Sequence, residues 1–168
     1  MLFDLKKYFS AGISPDKREF QADFSDCDFS GATIKEPVTV YFVAERFGSE
    51  VSLTLTAEAT ITANCARCLD EIKQTEKVQL EWLVKESDLD DPDFELPVDE
   101  KGKLDVKEWT FQEFTFEIPT VLVCSTDCEG LCPVCGKKVA DCTCQAAEAD
   151  AAAPPLDPRL SILKSLLN

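Results

Sequence analysis

Cysteines are the side chains of this sequence that could do chemistry in concert. Residues 124–144, CSTDCEGLCPVCGKKVADCTC, hold six of the nine, and two more stand upstream in CARC at 65–68. They form two C-x-x-C pairs, Cys65 with Cys68 and Cys132 with Cys135, a C-x-x-x-C, Cys124 with Cys128, and a C-x-C, Cys142 with Cys144. Eight thiolates make two tetrahedral sets of four. Four sulfurs fill every position on zinc, so such sites are expected to be structural, with no place for substrate or activated water. In CPVCG the turn after Cys132 aims backbone N–H groups at the sulfurs, and Gly136 tolerates the positive φ of such a knuckle. Iron accepts the same four donors, but its thiolate cage normally uses two CPxCG knuckles and this chain has one. Zinc is therefore favoured, two ions in all. The preferred partition groups Cys132, Cys135, Cys142 and Cys144 as one local ribbon. It sets Cys65 and Cys68 with Cys124 and Cys128 as a clamp between a sheet hairpin and the C-terminal module. Cys27, in DFSDCDFS, is flanked by acids that disfavour a thiolate and takes no role.

Composition narrows the chemistry further. The chain of 168 residues has no histidine, which removes the familiar serine and cysteine hydrolase triads. With 17 basic and 32 acidic residues the formal charge is −15. That argues against a broad electropositive surface for nucleic acid, so any RNA contact must be local or go through a basic protein. Arg67, Lys137 and Lys138 are candidates for a small phosphate contact, although knuckle-loop lysines more often serve solvation. The start, MLFDLKKYFSAG, lacks the apolar run of a signal peptide, and no stretch approaches the roughly 20 apolar residues of a membrane span. A cytoplasmic chain with reduced thiols, no membrane partner and no small-molecule substrate is expected.

The elements that must position the cysteines show in the apolar pattern. From 51 to 65 the odd positions read Val51, Leu53, Leu55, Ala57, Ala59, Ile61, Ala63 and Cys65, and the even ones are polar. This alternation predicts a half-buried strand with Cys65 on its apolar face, long enough to expect a bulge or bend, or two short strands. Val78, Leu80, Trp82 and Val84 predict an antiparallel partner, which places CARC at the hairpin tip. Shorter runs at Phe20, Ala22, Phe24 and at Val38, Val40, Phe42 add strands, with ERFGSE at 45–50 as a turn, so the core is mainly an antiparallel sheet. Residues 81–100 carry nine acids against Lys85 alone, with Pro92 and Pro97. They read as a solvated loop or, more sharply, an acidic docking surface. Within 104–119, Phe114, Phe116 and Ile118 alternate as in a strand while Val106 and Trp109 fit a helix, and propensity leans to strand. Residues 146–156 are a low-complexity linker. At 157–168, Asp157, Pro158 and a leucine stripe predict a short terminal helix. Residues 1–145 are expected to form one domain that includes the cysteine module.

CARCL, C-x3-CEGLCPVCG, C-x-C and DPRLSILKSL, in this order, resemble the YceD-like family of large-subunit ribosomal RNA accumulation proteins. The resemblance implies an α+β domain, with a helix over 105–114 followed by extended chain over 115–123, a zinc-ribbon-like cysteine module and no catalysis. It implies a role in synthesis, processing or stability of large-subunit ribosomal RNA. The partners expected are large-subunit ribosomal precursors or basic ribosomal proteins, with direct RNA contact left open. A redox-switched zinc chaperone is the alternative, since C-x-C and C-x-x-C can close to disulfides on oxidation. A metal-dependent nuclease built on acids 88–93 ranks lower, because a Pro-broken loop holds carboxylates poorly.

Overall fold

Period-two alternation does most of the folding in this chain. In the computed structural model, which describes residues 1–11, 14–91 and 93–144, the stretch from Val38 to Lys85 forms three long antiparallel strands. With the shorter elements the order is β1 (Leu2–Asp4), α1 (Leu5–Ala11), β2 (Asp16–Ala22), β3 (Thr33–Ile34), β4 (Val38–Phe47), β5 (Glu50–Asn64), β6 (Glu71–Lys85), β7 (Lys103–Asp105) and α2 (Val106–Glu117). Short 3-10 turns lie between β6 and β7 at Glu86–Asp90 and after α2 at Val139–Asp141. The fold is α+β with a mainly antiparallel sheet. The linker and terminal helix expected at 146–168 lie outside the described residues. The chain divides into two compact units, Met1–Cys128 and Glu129–Asn168.

The main sheet runs β2-β4-β5-β6, and β3 continues on the β4 side of β5. β5 is one uninterrupted strand: its pairing with β6 runs in constant register from Glu50 opposite Lys85 to Asn64 opposite Glu71. The expected bulge or break is absent, because full-length pairing with β6 leaves no residue over. Gly48, at φ +64°, opens the two-residue turn between β4 and β5, where a side chain would be strained. Every odd position from Val51 to Cys65 is buried, and Val78, Leu80, Trp82 and Val84 stand opposite Ala57, Leu55, Leu53 and Val51 on the same face.

Against that face lie α1, α2 and the β1-β7 pair, whose short strands have too few residues to show a period. Trp109 meets Phe42 edge-on at 6.5 Å, and Phe114 meets Phe24 at 6.2 Å, the favoured geometry for aromatic pairs. α2 begins where Asp105 accepts hydrogen bonds from Lys107 N (3.0 Å) and Glu108 N (3.5 Å). It ends at Ile118 because Pro119 holds its predecessor extended. The strand that propensity favours here is thus overturned, and so is the extended chain expected from 115. The turn over 115–117 is helical, with Phe114 inward and Phe116 84% exposed. Gly102 fixes the approach to β7: at φ +75° a Cβ there would lie 2.6 Å from Lys6 Cβ, and its carbonyl accepts from Leu5 N and Lys6 N.

Candidate metal centre

Each cysteine set assembles from local backbone geometry. The β5–β6 hairpin turns over residues 65–70, with Cys65 N donating to Asp70 O at 2.8 Å and Leu69 N donating to Cys65 O at 2.9 Å. Arg67 N points at Cys65 Sγ, 3.4 Å away. The second knuckle repeats this pattern bond for bond. Cys132 N donates to Lys137 O (2.6 Å), Gly136 N to Cys132 O (2.8 Å) and Val134 N to Cys132 Sγ (3.4 Å). Gly136 has φ +71°, and its counterpart Leu69 adopts φ +64° although it has a Cβ. Leucine there costs about 1–2 kcal/mol of backbone strain, and its side chain is 64% exposed, so burial returns little.

The structure brings the eight predicted residues together in two groups, Cys65, Cys68, Cys124 and Cys128, and Cys132, Cys135, Cys142 and Cys144. The sulfurs within each lie within 4.8 Å of one another. Cys65 and Cys128 are 3.9 Å apart, Cys68 and Cys124 3.7 Å, and Cys135 and Cys142 3.5 Å. Sulfurs bound tetrahedrally about 2.3 Å from zinc would have edges of about 3.8 Å, so the donor sets fit a tetrahedral cation. Cys65 and Cys68 are buried, whereas Cys124, Cys135 and Cys144 are exposed.

Cys124 and Cys128 reach the hairpin because Ile118 and Leu122 are buried and Leu122 O accepts from Ala66 N at 2.8 Å. Cys124 N donates to Cys65 Sγ at 3.4 Å. Arg67 closes the arrangement: its Nη1 donates to Thr126 O (3.1 Å) and Cys128 O (2.9 Å). The residue considered for phosphate contact thus binds two carbonyls of the opposite loop, a positioning role that sequence reasoning missed. The signal was present in its place between two ligating positions, where a long fork donor can span to the facing turn.

The thiols share their protons unequally. Hydrogen bonds from the backbone N–H groups of Cys68 and Cys124 lower Cys65 to about 6. At Cys68 the Asp70 backbone acts downward, but burial and hydrogen bonds with the three other thiols together prevail and push it up to about 12. In the second set the N–H groups of Cys135 and Val134 lower Cys132 to about 7, while bonds with the Cys132 and Cys135 thiols raise Cys142 to about 12. One sulfur in each set thus takes the first negative charge and a neighbour keeps its proton. A divalent cation among four such sulfurs displaces those protons outright.

The other candidates stand elsewhere. Cys27 is half-buried, packs against the core and belongs to neither set. The acids over 86–100 are mostly exposed, but several serve local turns. Asp88 accepts from Lys85 N (2.8 Å), Asp91 from Asp93 N (2.9 Å), and Asp99 from Lys101 N and Lys103 N (both 2.9 Å). Leu96 is buried, and Leu89, Phe94 and Val98 pack partly on the core, so the segment is anchored by its apolar residues.

The family described as large ribosomal RNA subunit accumulation protein YceD matches residues 53–167. Uncharacterized proteins of Mycobacterium tuberculosis (strain H37Rv) and Mycobacterium bovis are 32% identical to the chain over 101 residues, which is 57% of this chain and 48% of theirs. The chain therefore spans about half the length of the curated relatives it matches. No solved structure matches it. Because the family match runs from β5 through both cysteine sets, the chain belongs to the YceD family of large ribosomal RNA subunit accumulation proteins.

Proposed function

We propose that the chain is a noncatalytic zinc-binding factor that supports large-subunit ribosomal RNA accumulation in the cytoplasm by engaging basic ribosomal proteins or precursor particles. Cys65, Cys68, Cys124 and Cys128 hold one zinc ion, and Cys132, Cys135, Cys142 and Cys144 hold the other. The observation that carries this reading is that the family match spans two complete four-sulfur sets. A cation with four sulfur ligands has no open position for a nucleophile, so its contribution is to hold chain segments together. The formal charge of −15 favours basic proteins over bare RNA as the direct contact.

The test combines metal content with cellular RNA. Protein purified without added metal should contain two zinc ions per chain, and cells lacking it should lose large-subunit relative to small-subunit ribosomal RNA. Wild type should restore the ratio and Cys65→Ser should not. Metal-free protein with paired cysteines, or an unchanged RNA ratio in the deletion strain, would overturn the proposal.

A further inference from the structure

Between β6, the loop before β7 and α2 lies a pocket of about 510 Å³. Leu96 and Trp109, both buried, line it together with the half-buried Trp82 and with Phe116, which is 84% exposed. A phenylalanine so exposed adds little to folding, because it leaves most of its area in water. Glu95 and Glu113 supply the charge, and among the described residues no basic side chain lines the pocket. Glu113 is held in place: its Oε1 accepts from Trp109 Nε1 at 2.9 Å, which leaves Oε2 for a ligand.

We propose that this pocket receives an arginine side chain from an extended basic segment of a partner protein. The proposal rests on the reading of the chain as a factor that engages basic ribosomal proteins, and it places that contact. Aromatic faces attract a cation, and the planar guanidinium can stack on Trp82 or Phe116 while its N–H fork meets a carboxylate. Two carboxylates repel a phosphate, so RNA is a poor occupant. A purely apolar ligand would strip water from both acids without replacing it.

Trp82 and Trp109 are the chain's two tryptophans, so intrinsic fluorescence of the full-length protein reports on the pocket directly. The probe is a short peptide of arginines spaced by leucines, compared with the same peptide carrying neutral citrulline. The arginine peptide should change the emission and bind about tenfold more tightly than the citrulline peptide. Phe116→Ala and the pair Glu95→Gln with Glu113→Gln should each lose a comparable factor. Glu86→Gln with Asp90→Asn, which removes the same charge from residues that do not line the pocket, should change little. Equal binding of the two peptides, or an equal loss in the Glu86 and Asp90 variant, would overturn the site in favour of general charge attraction. A wild-type dimer dissociated by Phe116→Ala would overturn it in favour of a second copy. Sedimentation with large-subunit precursors separates the two levels of the argument. Pocket variants that still co-sediment like wild type overturn the pocket alone. A wild type that binds the peptide but never co-sediments supports the pocket and overturns the ribosomal reading.

Discussion

Leu69 and Gly136 occupy the same place in two knuckles with matching hydrogen bonds, at φ +64° and +71°. Their difference isolates one cost. Replacing Leu69 with Gly should relieve the left-handed strain while adding unfolded-state entropy, so thermal unfolding should shift by less than about 1 kcal/mol and in the stabilising direction. Gly136→Ala meets nothing within 4 Å of the new Cβ, so its penalty of about 1–2 kcal/mol should come from the backbone alone. Metal content measured beside the melting curve checks both. A leucine that proved more stabilising than glycine would show that its side chain repays the strain through contacts. Arg67 belongs to the same scale: its two bonds to Thr126 O and Cys128 O explain why an arginine inside the hairpin tip matters to cysteines about sixty residues away.

At the scale of elements, the β5–β6 hairpin and the loop after α2 depend on one set of sulfurs, and a short ribbon depends on the other. Cys65 directly follows β5 and is fully buried, so Cys65→Ser removes a ligand and puts a hydroxyl where burial is complete. It should broaden and lower the main unfolding transition. Cys144→Ser, at an exposed ribbon position, should release metal with that transition intact. Calorimetry with zinc analysis tests the pair, and equal damage would refute the separation. The outer edge of β6 pairs with no strand among the described residues. Glu71, Lys73, Glu76, Lys77, Glu81 and Lys85 along it discourage edge-to-edge association.

For the whole molecule the two sets should differ in how easily they give up metal. Protons compete with the cation for thiolates, so affinity falls as pH falls. The second set has two exposed cysteines, Cys135 and Cys144, whereas the first has one, Cys124, beside buried Cys65 and Cys68, so solvent reaches the second more freely. Acid titration of cobalt-loaded protein should therefore show two steps in the thiolate charge-transfer band. The first step should vanish in Cys144→Ser and the second in Cys65→Ser. A single step in wild type would mean that the two sets act as one.

The sequence alone was enough for the main strands and the cysteine inventory. Alternation over 51–65 and 78–84 is dictated by the two-residue period of a strand with one buried face, and cysteine spacing is a local property of a knuckle. It left α2 ambiguous, because Phe114, Phe116 and Ile118 alternate as a strand would, whereas the Asp105 cap and Pro119 set the helix ends. It carried no sign of β1, α1 and β7, since three-residue strands have no period and the first N–H groups of α1 donate to Gly102 O across the fold. Spacing also favoured the partition of the eight cysteines into two cages, and the tertiary structure supplied its cause: Cys124 and Cys128 meet Cys65 and Cys68 through the buried Ile118 and Leu122 and the reach of Arg67. The tertiary structure alone joined Trp82, Glu95, Glu113 and Phe116 around one pocket, since three elements converge there and no local pattern records which surfaces will meet.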